Sequence, residues 1–210
     1  MNKTPISSPL GPIVVGQFVG SNFAIEKILA VGSNCTIFSA KLNGNPQAAP
    51  TALKVENDEP SRNALAKEIH ILRSIQNTKH FAKIIESGHH RQFNYVVIQL
   101  LGPSLRDLAL RQPSYTFSLK ILLKFAYQAI EALQTLHQAA FLHGSVNAVI
   151  RYKPLAPSIQ SISALANHST LQTLHALRQK SPEEDLVDVI KIISEYHTAQ
   201  ENEVDMINTV

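Results

Sequence analysis

Apolar and polar residues alternate along the first quarter of the chain, as they do in strands that bury one face. Residues 23–29 and 35–40 show this alternation, and the Gly32-Ser33-Asn34 run between them is typical of a turn. A third apolar run ends at Lys54. The pattern predicts a three-stranded antiparallel meander, with ordered structure beginning near Asn22.

The next segment changes to the helical period. Ser61 is the predicted N-cap, and the apolar residues after it recur at the spacing of one helix face. These residues are Ala64, Leu65, Ile69, Leu72 and Ile75. Glu68 lies on the same face, and a carboxylate that faces inward needs a partner.

Two more strands and a long helix follow. Residues 82–86 and 93–101 predict a strand pair around a turn at His89-His90, and Ser118 is the predicted cap of an amphipathic helix. The apolar face of that helix contains Leu122, Phe125, Ala126, Ala129, Leu133 and Leu136. Residues 151–170 contain two prolines and no strong periodicity, so they are expected to be irregular.

A last helix is predicted at residues 183–196, where apolar positions nearly encircle the axis. Those positions are Leu186, Val187, Val189, Ile190, Ile192 and Ile193. Such a helix is expected to be buried on most sides. Residues 151–180, a protein partner or a second copy of the chain could cover it, so a protein partner or self-association is expected.

Composition and charge exclude several classes of protein. With 44% hydrophobic residues the chain should bury a core, and its net charge of +3 comes without the clustered basic and aromatic residues of a nucleic-acid binder. Cys35 is the only cysteine, which excludes an internal disulfide, and the scattered histidines predict no metal site. The sequence has no membrane-length apolar run and no convincing signal peptide, so a cytoplasmic or nuclear protein is expected.

Four short runs share their order and residue types with a known family. They are ALKVE at 52–56, LLGPSLRDL at 100–108, FLHGSVNAVI at 141–150 and EDL at 184–186. Together they resemble protein kinases, specifically the casein kinase I superfamily, while FNYVVIQL at 93–100 is similar to its tau-tubulin kinase branch. The resemblance implies an α+β, bilobal kinase-like fold with an antiparallel-sheet N-lobe, one N-lobe helix and a helical C-lobe.

The resemblance also implies a nucleotide cleft. Lys54 would hold the α- and β-phosphates and pair with Glu68, although the same pair could be purely structural. The backbone of Gln99 and Leu101 would contact adenine. Of the glycine-rich phosphate loop only Gly32 survives, with Ala30 and Cys35 at the flanking glycine positions. The nucleotide site is therefore expected to be vestigial, with no cofactor required and at most weak, metal-independent binding of ATP.

The catalytic positions have lost their chemistry. Ser145 stands where the family has its catalytic Asp, Asn147 where it has Lys, and Ile150 where it has the magnesium-binding Asn. No Asp or Glu occurs anywhere from 132 to 182, so none can substitute nearby. His143 and Asp185 match structural positions of the family. The sequence therefore predicts that no catalytic residue is intact and that no metal is bound.

Four regions are expected. They are a flexible lead-in at 1–20, a kinase-like N-lobe at 21–101, a partial C-lobe at 102–197 without the metal loop and activation segment, and an acidic tail at 198–210. The expected function is that of a catalytically inactive, truncated pseudokinase that binds or regulates proteins. A serine/threonine kinase with weak or non-standard activity, and a remnant without function, are the alternatives.

Overall fold

The computed structural model describes residues 13–32, 35–45, 47–58, 63–154, 160–163, 172–173 and 181–197. Six strands form one sheet in the order β1-β2-β3-β4-β6-β5. They are β1 (Phe18–Val19), β2 (Phe23–Val31), β3 (Cys35–Leu42), β4 (Thr51–Asn57), β5 (Ile84–His90) and β6 (Phe93–Gln99). Every neighbouring pair in this sheet is antiparallel.

The predicted meander of β2, β3 and β4 is confirmed, but the sheet begins before Asn22. Val19 in β1 pairs with Phe23 and is buried, so part of the expected lead-in contributes to the sheet. This short strand has too little alternation to be found by pattern. Residues 33 and 34 of the predicted turn, and residues 1–12, lie outside the described residues.

The N-lobe helix α1 (Ala64–Ser74) covers one face of the sheet. Asn63 is its N-cap residue but makes no side-chain cap hydrogen bond, and the predicted cap Ser61 lies outside the described residues. A buried strand residue replaces the cap, since Glu56 Oε2 accepts a hydrogen bond from the Leu65 N–H at 3.0 Å. A carboxylate at the start of a helix is also favoured by the helix dipole.

The turn between β5 and β6 is displaced from its predicted position. His89 and His90 lie inside β5, paired with Asn94 and Phe93, and the turn falls at residues 91–92. Arg91 adopts a left-handed φ of 56° there. The histidine pair therefore carried no turn signal.

The helical part begins with α2 (Leu105–Ala109) and α3 (Leu119–Gln138). A capping box starts α2, because Ser104 Oγ accepts from the Asp107 N–H and the Asp107 carboxylate accepts from the Ser104 N–H. Ser118 is the N-cap residue of α3 as predicted, although its side chain makes no cap hydrogen bond. The apolar face predicted for α3 is the face that is buried.

Three short strand segments follow β7 (Phe141–Leu142). They are β8 (Arg151–Pro154), β9 (Gln160–Ser163) and β10 (Gln172–Thr173). β8 pairs with β9 and β7 pairs with β10, both antiparallel. The expectation that residues 151–170 are irregular was therefore wrong for β8 and β9, which are too short and too poor in β-branched residues to show a strand pattern.

The last helix, α4 (Pro182–Tyr196), packs against α3. Its buried residues are Asp185, Val189, Ile192 and Tyr196. Leu186, Val187 and Ile190 are exposed, so the helix is not buried on most sides within the described structure. Most of the segment that could cover this helix, residues 155–159, 164–171 and 174–180, lies outside the described residues.

Two apolar clusters occupy the two faces of the sheet. One contains Phe23, Phe38, Leu53 and Val97, and the other runs from Ala52 and Ile98 through α1 into α3 and α4. Because strand side chains alternate, β4 places Leu53 in the first cluster and its neighbours Ala52 and Lys54 on the opposite face, toward α1. Among the described residues, no helix is long and apolar enough to cross a membrane.

Candidate functional site

A cleft lies between the sheet and the loop that precedes β8. It encloses about 620 Å³, including open solvent at its mouth. Its walls are mostly apolar, formed by Leu29, Ala30, Ile37, Ala52, Ile98, Leu100, Leu101 and Val149. Lys54, Glu68, Gln99 and Arg151 supply its polar groups. A largely apolar cleft with a few convergent polar groups is typical of a small-molecule site.

The predicted Lys54–Glu68 pair is formed. Lys54 Nζ donates a hydrogen bond to Glu68 Oε2, and both side chains are more than nine-tenths buried. β4 and α1 position the two residues, with Glu56 tethering the start of α1 to the same strand. A lysine and a glutamate held this way form a rigid, nearly neutral unit at one end of the cleft.

Cys35 begins β3 and pairs in register with Glu56. Burial raises the pKa of its thiol, and the nearby Lys54 charge opposes that rise. The thiol therefore stays protonated and adds little charge beside the Lys54–Glu68 pair. Gly32, which the sequence assigned to phosphate binding, does not line the cleft, whose described wall in this region is Leu29 and Ala30.

The segment that joins the two lobes forms the cleft's second wall. The Gln99 N–H donates to the Lys83 carbonyl at 3.0 Å, so a ligand could reach the Gln99 backbone only through its carbonyl oxygen. Leu101 and Ile98 are both buried beside it. The two backbone positions expected to contact a flat base therefore do line the cleft.

The loop after β7 is anchored by one buried carboxylate. Asp185 accepts hydrogen bonds from the backbone N–H groups of His143 at 3.0 Å and Gly144 at 2.8 Å. The His137 ring lies 2.9 Å from the same carboxylate. Gly144 has a φ of +74°, a conformation that glycine adopts without strain. The structure thus brings together His143 and Asp185, the two residues predicted to be structural.

The three positions that the sequence predicts to be degenerate follow in this anchored loop. Ser145 is half-buried, Asn147 is exposed and Ile150 is buried in the core. The Asn147 side chain is used locally, donating to the Ser145 carbonyl and accepting from the Val149 N–H. The carbonyls of Ala148 and Ile150 accept from the first N–H groups of α2. The loop is therefore held in place while its side chains offer no carboxylate.

The donor set does not suit a magnesium ion. Magnesium prefers carboxylate and other oxygen ligands, and Ile150 offers none. In the described part of the chain, no group of three histidine, cysteine or acidic side chains lies close enough together to hold a metal. Residues 132–182 contain no acid at all, so the sequence alone shows that this loop offers no carboxylate ligand.

Arg151 is a charged cleft residue that was not predicted from the sequence. It starts β8, pairs with Ser104 in an isolated bridge, and donates from Nη1 to the Gly102 carbonyl at 3.2 Å. Its position directly after Ile150 was the available signal, but the segment was expected to be irregular. Val149 also lines the cleft and was not predicted.

Comparison with known sequences decides the family. The family described as protein tyrosine and serine/threonine kinase matches residues 23–149, more than half of the chain. This chain belongs to the protein kinase family. The kinase-like α+β fold inferred from the sequence, with an antiparallel-sheet N-lobe and one N-lobe helix, is thereby confirmed.

Individual relatives are serine/threonine kinases by name. A probable serine/threonine-protein kinase of Dictyostelium discoideum is 31% identical over 71% of this chain and 30% of its own length. A Caenorhabditis elegans protein named "Putative casein kinase I" is 25% identical over 64% of this chain and 40% of its own length. The spe-6 serine/threonine-protein kinase of the same organism is 30% identical over 46% of this chain and 26% of its own length. The chain thus spans between a quarter and two fifths of the length of these relatives.

Proposed function

We propose that this protein is a catalytically inactive pseudokinase of the casein kinase I group, close to its tau-tubulin kinase branch, that acts by binding or regulating proteins. The observation that carries the proposal is the loop at 143–150. Asp185 holds its backbone firmly, yet Ser145, Asn147 and Ile150 supply neither a general base nor a metal ligand. Phosphoryl transfer in kinases depends on positioned carboxylates and magnesium.

Support for the casein kinase I branch comes from the LLGPSLRDL run and one relative. Ser104 and Asp107 of this run form the capping box at the start of α2. The 25% identity to a protein named as a casein kinase I agrees with this branch. By this proposal the protein works in the cytoplasm or nucleus, and no nucleic acid or membrane is a partner.

The test is phosphate transfer from radiolabelled ATP, with magnesium, to casein, to tau-like peptides and to the protein itself. The expected result is no incorporation above that of a Lys54→Met variant, because nothing in the loop can activate a hydroxyl group. Magnesium-dependent incorporation that Lys54→Met abolishes would refute the proposal.

One observation favours a second candidate, a serine/threonine kinase of weak or non-standard activity. The Lys54–Glu68 pair and the apolar cleft keep the groups that position a nucleotide. The missing carboxylates would then come from a rearranged site or from another chain. The same assay distinguishes the two, since activity that appears only after a second protein is added supports this candidate.

A further inference from the structure

One side of α3 carries a row of apolar side chains that the described core does not cover. The row has spacings of four, four and three residues, so its members lie along one line of the helix. They are between 48% and 64% exposed, and together are called the α3 stripe: Leu119, Leu123, Tyr127 and Ile130. A contiguous exposed apolar row of this kind is typical of a docking surface.

The border of the α3 stripe is basic. Lys120 and Lys124 directly follow the first two stripe residues, are exposed, and form no ion pair among the described residues. Glu131 is the acid at the other end of the stripe, but it already contacts Lys79 Nζ at 3.3 Å and His80 Nε2 at 3.1 Å. The stripe therefore suits an occupant that is both apolar and acidic.

The sequence after α4 has that composition. Residues 198–210, which lie outside the described residues, contain three acids and no lysine or arginine. The acids are Glu201, Glu203 and Asp205, and the apolar residues among and after them are Val204, Met206, Ile207 and Val210.

The point where this segment begins is fixed beside α3. His197 forms an isolated parallel bridge with Phe117, and the Phe117 N–H donates to the Tyr196 carbonyl at 2.9 Å. Because the bridge is parallel, the chain leaves His197 in the same direction in which the other segment enters α3. The stripe spans about 16 Å along the helix, whereas thirteen residues reach about 20 Å as a helix and about 43 Å when extended. The segment is therefore long enough to follow the whole stripe.

We propose that residues 198–210 dock along the α3 stripe, with their apolar side chains on it and their acids toward Lys120 and Lys124. The tether at His197 gives the segment a higher local concentration at the stripe than a free partner has. The inference goes beyond the proposed function, because a partner that binds the stripe must first displace this segment.

The experiment places a tryptophan in the segment of the full chain, which has no tryptophan of its own. Met206→Trp reports burial through its fluorescence emission maximum and its quenching by acrylamide, and a free peptide of residues 198–210 with the same substitution gives the undocked values. The full chain is expected to emit at shorter wavelength than the peptide and to be quenched less. Adding Leu123→Asp should return both readouts to the peptide values, because it places a charge in the stripe that also repels the acids of the segment.

Ile121→Asp is the matched control. Ile121 is 46% exposed on the same helix but lies about 160° around the axis from Leu123, so the same chemical change there should leave both readouts unaltered. Neutralising the border with Lys120→Gln/Lys124→Gln should reduce the emission shift. A circular dichroism melt confirms that each variant is folded, and Ile130→Asp replaces Leu123→Asp if that variant is not.

Four results would overturn the inference. They are emission equal to that of the free peptide, a shift that survives both Leu123→Asp and Ile130→Asp, an equal loss in Ile121→Asp, and a shift that fades on dilution. The last result would assign the stripe to a second copy of the chain. None of them depends on phosphate transfer, so this inference and the proposed function can fail separately.

Discussion

At the scale of residues, a large effect on the free energy of unfolding is expected at the buried Lys54–Glu68 ion pair. Lys54→Met should lower the free energy of unfolding by roughly 3 kcal/mol, because it leaves a carboxylate buried without the cation beside it. We expect the lower end of the usual range for broken buried pairs, since both residues also line the open cleft. Urea unfolding measures the change.

The double variant Lys54→Met/Glu68→Leu is the control for that prediction. Replacing both partners with apolar side chains removes the unpaired charge, so most of the lost stability should return. A double variant no more stable than Lys54→Met would contradict the account.

Ala140 offers a simpler test of backbone strain. It follows α3 with a left-handed φ of 63°, and its side chain is exposed. Ala140→Gly should raise the free energy of unfolding by roughly 0.5–1 kcal/mol, because glycine adopts this conformation without steric cost. The melting temperature should rise with it. Ala139→Gly, at a φ of −82°, should instead destabilise the protein. Thermal melts of the two variants measure these changes. If both variants shift the melting temperature in the same direction, backbone strain at Ala140 is refuted.

At the scale of elements, the capping box of α2 makes stability depend on pH. The Ser104 backbone N–H and, to a lesser extent, the Arg151 and Arg111 charges hold the pKa of Asp107 below its usual value of 3.8. A lowered folded-state pKa gives stability that is present above the unfolded pKa and is lost as the pH falls through the folded one.

Asp107→Asn should therefore flatten the acid dependence of unfolding below about pH 4, since asparagine can still accept the Ser104 hydrogen bond but does not titrate in this range. The measurement is urea unfolding between pH 2 and about 6. Asp188→Asn, an acid-to-amide change in α4, reports the general effect of losing one acid. If the two variants have the same acid dependence, the Asp107 assignment is wrong.

At the scale of the whole molecule, the exposed face of α4 bears on the proposal that this protein binds a protein partner or itself. Leu186 and Ile190 are 39% and 64% exposed, whereas Val189 and Ile192 of the same helix are buried. Covering apolar area contributes about 25 cal/mol per Å². Ile190→Asp should therefore reduce self-association in light scattering and leave the melt cooperative.

Ile192→Asp is the matched control, because Ile192 lies on the buried face of α4 and belongs to the apolar core. The same chemical change should unfold that variant by placing a charge in the interior. If Ile190→Asp leaves the scattering mass of wild type unchanged, self-association through this face is refuted.

The sequence by itself determined the elements with strong periods and the chemistry of the catalytic loop. Alternation fixed β2, β3 and β4, helical spacing fixed α1 and the buried face of α3, and residue identity fixed the absence of any Asp or Glu from 132 to 182. These are local properties, since each depends on the residues of one segment.

Only the tertiary structure decided which groups meet and which side of a helix is covered. Glu56 caps α1 and Asp185 holds the loop at His143 because segments far apart in sequence pack together. Arg151 lines the cleft as the first residue of β8, and the pairing of this strand leaves no periodic pattern in the sequence. α4 has apolar positions all around, and packing against α3 selects the one face that is buried, because periodicity gives the spacing of apolar residues but not their neighbours.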